Sequence, residues 1–343
     1  MPPSSAAEVQ INVFGLFAPT ELRLQTAGSQ ILHIKAQSGE ARIEGGQTAE
    51  CRAARARVEC SVGGHTIADV LVVVTGEGSA PAFRLSVPGE IARVFEGRLQ
   101  LTAVGRTLHA VVAMDQETAV GSIVAAESPP DAAFEALKAQ AVAARSYLLA
   151  GARHASFDFC DTTHCQYLRA PPRDGHAARR AAEATEGLVL THAGQVVRAL
   201  YSRSCGGVTR TLREAGLPSD GYPFFSVTCE LCLREPETWQ TTFHRDVIQP
   251  ILESPTEAMR LAFARRAGWN ALPSVRFRAA ASGDSVTLHG TGRGHGIGLC
   301  QMGAAALALV GADFRAILRH YFPNTGLSGQ GSGQGDSHPA TAF

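Results

Sequence analysis

From residue 9 to about 118 the chain keeps alternating polar and apolar residues, and at Gly121 that alternation stops. Gln10-Ile11-Asn12-Val13-Phe14, Ile31-Leu32-His33-Ile34-Lys35, Ala41-Arg42-Ile43 and Leu99-Gln100-Leu101-Thr102-Ala103-Val104 all follow a two-residue period. Successive side chains on a strand point to opposite faces, so the pattern predicts short, half-buried strands. Gly45-Gly46, Gly63-Gly64, Gly76 and Gly78 supply turns between them. Past Gly121 the period lengthens. Phe134, Leu137, Ala141, Ala144 and Leu148 fall near a 3.6-residue repeat, which predicts a helix over 129–151. Further helices are expected over 176–185, 247–266, 299–310 and 314–321, with strands at 188–191, 196–202 and 286–288. The chain therefore reads as α+β. A disordered 1–8 leads into a β-rich accessory module over 9–120, a mixed helix and strand domain over 121–325, and a disordered tail over 326–343.

A chain of 343 residues, 45% apolar and 18% charged, can bury one large core or two moderate ones. Lysine plus arginine equals aspartate plus glutamate at 31 each, so no net field recruits nucleic acid, and no nucleic-acid partner is expected. The N-terminus shows neither a basic stretch nor an apolar core before Arg23, and it does not read as a secretory signal. The longest apolar runs, 70–74 and 304–310, fall well short of the roughly 20 residues of a membrane span, so no transmembrane segment is expected.

Three blocks carry the chemistry. In the first, Ser128 is placed to cap the helix, Pro129 to occupy its first position and Asp131 to close a Ser-x-x-Asp box. Glu127 is then expected just outside the helix N-terminus. The apolar run Ile123-Val124-Ala125-Ala126 desolvates it and raises its pKa, as a general acid requires, whereas a helix N-terminus pulls the other way. In the second block His154, Cys160, His164 and Cys165 put imidazoles and thiols within twelve residues, a set that suits tetrahedral zinc. A Cys160–Cys165 disulfide and a nucleophilic Cys/His pair are the alternatives. In the third, Gly292-Arg293-Gly294-His295-Gly296-Ile297-Gly298 lets backbone approach a ligand or a neighbouring loop and presents His295 at the turn. It lacks the context of a dinucleotide site.

Tyr201-Ser202-Arg203-Ser204-Cys205-Gly206-Gly207-Val208-Thr209 offers hydroxyls on a tight turn, material for gripping a sugar or for a plain loop. Cys205, Cys229, Cys232 and Cys300 are enough for a second metal site or for disulfides, and Cys51 and Cys60 are spaced so that they could pair.

With these blocks in this order the chain resembles the stage II sporulation protein D family, SpoIID/LytB, also called the amidase enhancer family, over about 121–325. The resemblance rests on Val124-Ala125-Ala126-Glu127 and the helix from Glu135 to Tyr147, and on the Cys160 to Gln166 segment. It extends through Ser204 to Thr209, Gly294 to Gln301 and Tyr321 to Thr325. It implies a lytic transglycosylase, a lyase of peptidoglycan glycan strands. Glu127 would protonate the oxygen between N-acetylmuramic acid and N-acetylglucosamine, then deprotonate the muramic sugar's own hydroxyl as an anhydro ring closes. It also implies structural Zn2+ on His154, Cys160 and Cys165 with His164 as a possible fourth ligand, hence a loop-borne zinc site. Gln140, Arg145, Tyr201, Ser204 and His295 would bind substrate. The setting it implies is the cell envelope or periplasm. The same family offers an alternative, a non-catalytic enhancer that binds and stimulates a cell-wall amidase. A redox metalloprotein is the third reading.

Overall fold

The computed structural model describes residues 7–76, 81–129, 131–162, 164–218, 221–268 and 270–329. Two compact units interleave along the chain, one built from residues up to 130 together with 151–183, the other from 131–150 together with 184 onward.

The first unit carries two sheets. One runs in the order Phe159–Cys160, Glu8–Val13, Thr107–Asp115, Arg98–Val104, Leu71–Gly76, Leu32–Ala36, Gly39–Ile43. The other runs Ile91–Glu96, Ala82–Val87, Glu21–Thr26, Thr48–Ala54, Arg57–Val62, His65–Asp69. Neighbouring strands are antiparallel except Phe159–Cys160, which lies parallel to Ile11–Asn12. The sequence alternation becomes alternating burial. Leu108, Ala110 and Val112 are buried while Thr107, His109 and Val111 are partly exposed. Strands 98–104 and 107–115 pack against 48–54 and 57–62, so the two sheets share a core. Cys51 faces Cys60 directly across a hairpin and the two form a disulfide, an outcome that spacing alone left open.

Helix α1 (Gln116–Glu127) follows the last strand, with Asp115 as its N-cap accepting from the Thr118 amide at 2.9 Å. The sequence did not signal it, because Ala119, Val120, Gly121, Ser122, Ile123 and Val124 are all buried, leaving no polar face to set a period. Ser128 therefore ends α1, its amide donating to the Val124 carbonyl, and the expected Ser128–Asp131 capping box does not form. Helix α2 (Phe134–Leu149) starts later than expected, with Ala133 as its N-cap and no side-chain cap. Helix α3 (Ala177–Glu183) packs along α1.

In the second unit, α2 packs on strand Leu188–His192 and on helices α7 (Gln301–Leu309) and α8 (Phe314–Tyr321). Strand 188–192 pairs with Gln195–Val196 and with Gly326–Gly329, so the expected tail begins as an ordered strand at 326–329; residues from 330 onward lie outside the described residues. The expected disordered N-terminus is likewise corrected at Glu8, which opens a strand, while residues 1–6 lie outside the described residues. Helix α4 (Glu230–Arg234) is a short turn carrying Cys232.

The single helix expected over 247–266 is two, α5 (Arg245–Glu253) and α6 (Glu257–Ala267). Pro255 breaks the run and Thr256 caps α6 by accepting from the Met259 amide. These two helices cover a three-stranded sheet, Thr238–His244, Ser285–Thr291 and Phe277–Ser282, around Ile248, Ile251, Leu272, Val286 and Leu288. The strand expected over 196–202 is two short ones, at Gln195–Val196 and Tyr201–Ser202, the second lying parallel to Leu299–Cys300. Among the described residues no helix is long and apolar enough to cross a membrane.

Candidate functional site

Glu127 is the last residue of α1, not the residue before a helix. This corrects the expected electrostatics. A helix C-terminus carries partial negative charge, so it acts with desolvation, not against it. The side chain is partly buried, and burial pushes its pKa up to about 7, against the backbone amide of Tyr167, which donates to the carboxylate, and the Arg169 guanidinium nearby. At neutral pH such a group is populated as both acid and base.

The residues that hold Glu127 come from the thiol loop. Cys165 is followed by Gln166 and Tyr167, and Arg169 stacks over the Tyr167 ring at 5.7 Å. The loop is fastened to both sheets of the first unit, through Gln10 and Asn12 on one and Arg93 on the other. The Asp158 carboxylate accepts from the Gln10 amide at 2.8 Å, the Asp161 amide donates to the Asn12 carbonyl at 3.1 Å, and Arg93 donates to the Asp161 carboxylate at 2.9 Å.

His154, Cys160, His164 and Cys165 converge as expected, their ligand atoms all within 4.8 Å of one another. His154 Nε2 lies 3.2 Å and His164 Nδ1 3.3 Å from Cys165 Sγ, while Cys160 Sγ lies 3.8 Å from His164 Nδ1. The adjacent residues His164 and Cys165 reach the same point because the loop turns there. Cys160 is pushed down to about 4, chiefly by Cys165 and then by Thr162 and His164, and Cys165 is pushed up by the same contact. Two thiols and two imidazoles at this spacing can hold a metal ion, and the donor set fits a tetrahedral cation.

The second unit holds the other expected site residues. Arg145 is fully buried, and its guanidinium donates to the Leu188 carbonyl at 3.1 Å, tying α2 to the strand beneath it. Gln140 is 2% exposed, with Oε1 accepting from Gln301 at 3.5 Å, and its Nε2 has no partner among the described residues. Ser204 is 1% exposed and pairs through its backbone with Arg293. All three are buried, and Arg145 and Ser204 contact main chain within the second unit. Tyr201 is partly buried.

His295 also retains some exposure, but its Nδ1 accepts from the Ile297 amide at 3.0 Å and the Tyr201 backbone bonds the ring. Burial lowers its pKa, so it sits as a neutral imidazole fixed by main chain. Gly298 takes a positive φ of 67°, and its α-carbon packs against the Leu200 carbonyl where no Cβ fits, so the turn needs glycine there.

Cys205, Cys229, Cys232 and Cys300 form a second convergent set, all buried and with sulfurs within 4.8 Å of one another. None of the four is disulfide-bonded. Sequence reasoning missed Tyr167, Arg169, Arg93 and Asp161. The Tyr167 contribution is a backbone amide, which carries no side-chain signature, and Arg93 and Asp161 are 68 residues apart.

Residues 104–192 match the family model described as SpoIID, Stage II sporulation protein. That segment carries α1 with Glu127, the thiol–imidazole loop and α2, and this SpoIID match is consistent with a cell-wall-related role. The chain is also similar to an uncharacterized protein of Brachyspira hyodysenteriae, 25% identical over 263 residues, which covers 66% of this chain and 70% of that one.

Proposed function

We propose that the chain is a peptidoglycan lytic transglycosylase with Glu127 as its acid and base, working in the cell envelope. The observation that carries this reading is the Glu127 carboxyl, raised to about 7 by burial, within the segment that matches the SpoIID family. In the neutral form it gives its proton to the oxygen linking N-acetylmuramic acid to N-acetylglucosamine as the C1–O bond breaks. The resulting carboxylate takes the proton from the muramic sugar's primary hydroxyl, whose oxygen closes on C1. The nucleophile is part of the substrate, so no second carboxylate and no water are required, unlike the two-carboxylate hydrolases.

His154, Cys160, His164 and Cys165 would hold zinc, whose contribution is to crosslink the loop and neutralise its thiolates. The Tyr167 amide and Arg169 then stabilise the ionised form of Glu127 once it has given up its proton. The strands of 9–120 act as the platform to which that loop is fastened, and 121–325 as the domain that carries the chemistry.

The test is release of muropeptides from purified sacculi by the wild type and by Glu127→Gln. The wild type should release anhydro products, and the variant should lose at least about 10²-fold. A fully active variant overturns the assignment. A wild type that releases nothing yet stimulates a cell-wall amidase establishes the enhancer reading.

A further inference from the structure

We propose that Cys205, Cys229, Cys232 and Cys300 form a second metal site, a closed tetrahedral cage of four thiolates for zinc. The site is structural and independent of the catalytic reading. Four sulfurs drawn from positions 205, 229, 232 and 300 meet within 4.8 Å of one another. A zinc–sulfur bond of about 2.3 Å places tetrahedral sulfurs about 3.8 Å apart, and Cys232 Sγ and Cys300 Sγ stand 3.6 Å apart. Isolated buried thiols behave as small hydrophobes, but that reading gives no reason for four to converge on one point.

The surroundings suit thiolates. The Cys205 and Gly303 amides donate to Cys300 Sγ at 3.4 and 3.5 Å, the Tyr321 hydroxyl donates to Cys229 Sγ at 3.5 Å, and Ser204 Oγ lies 3.6 Å from Cys232 Sγ. On binding, each thiol releases its proton to solvent, leaving two net negative charges on the caged ion. Those donors spread this charge, and so does the N-terminus of α7, which Cys300 caps. All four cysteines are at most 2% exposed, so no coordination position opens to water or substrate, as in structural sites.

Position 303 shows how closely the elements are drawn in. A Cβ there would run into the Tyr321 hydroxyl and Cys229 Sγ, so α7 reaches the cage only with glycine at that turn. Cys205 lies inside the Ser204 to Thr209 turn and Cys300 follows the glycine turn that ends at Gly298. The cation therefore pins both turns to the short helix bearing Cys232.

The experiment is metal analysis of the full chain, purified under reducing conditions, with the Cys160→Ser/Cys165→Ser double variant beside it. The wild type should hold two equivalents of zinc and the double variant one, and cobalt loaded into that variant should show strong sulfur-to-cobalt charge transfer. A double variant with no bound metal, or with these four cysteines paired in disulfides, overturns the proposal. Should the double variant fail to fold, X-ray absorption on the wild type decides. An average of three sulfurs per zinc is expected from one four-sulfur site and one two-sulfur site, and an average of two overturns it.

Discussion

The backbone amide of Tyr167 donates to the carboxylate of Glu127, and Tyr167 stands two residues beyond Cys165. The candidate acid and the thiol–imidazole cluster are thereby joined through one short stretch of main chain. A metal on the cluster can govern activity without touching the sugar. Chelation should abolish turnover and speed proteolytic nicking within 151–173, and added zinc should restore both. Full activity in a metal-free protein would break this link.

The raised pKa of Glu127 makes stability depend on pH with a definite sign. The folded state holds the proton up to about 7, while the unfolded carboxyl releases it near its ordinary value of 4.5. Stability should fall as pH rises between those values and stay lower above them. Glu127→Gln should remove that slope and be more stable than wild type by about 1–3 kcal/mol at pH 8, measured by urea denaturation across pH. Turnover should fall about tenfold per pH unit above about 7, where the acid form is lost.

The position of Glu127 was legible in the sequence and its setting was not. Ser128, Pro129 and Asp131 spell a helix start, yet α1 comes first and Ser128 closes it, because a helix buried on most sides leaves no periodic trace. The loop cluster was legible because its ligands are close in sequence, and the strands because alternation maps directly onto burial. The four-cysteine set was legible only as an inventory. Its convergence depends on the parallel pairing of Tyr201–Ser202 with Leu299–Cys300, nearly a hundred residues apart, which no local pattern announces. Arg145 and Ser204 were legible as motif members, but their burial was not, because it comes from elements packed around them from distant parts of the chain.

Arg93 and Asp161 form a largely buried ion pair, 18% and 5% exposed, next to Cys160. Arg93→Ala leaves the Asp161 carboxylate to backbone amides such as that of Phe14, which donates at 3.3 Å, a poor match for a full charge. The variant should lose about 3 kcal/mol and release its loop metal faster, read by thermal unfolding and by transfer of zinc to a colorimetric chelator. An unchanged release rate would show that the pair does not anchor the loop.

Gly298→Ala combines a left-handed backbone with a collision against the Leu200 carbonyl, and should cost more than about 2 kcal/mol. Gly311→Ala, at φ 94° with open space around it, carries only the backbone penalty of about 1 kcal/mol and serves as its control. Equal losses in denaturant midpoints would remove the argument that the turn needs this close approach.

The most direct measurement is the mass of the ends produced when the wild-type protein digests purified glycan strands. A carboxyl that moves one proton out and one proton back, with no water consumed, must leave anhydro-muramic ends, each one water lighter than a hydrolysed end. Finding those ends with the wild type, and none with Glu127→Gln, is the expected result. Reducing ends, or intact strands, would contradict it.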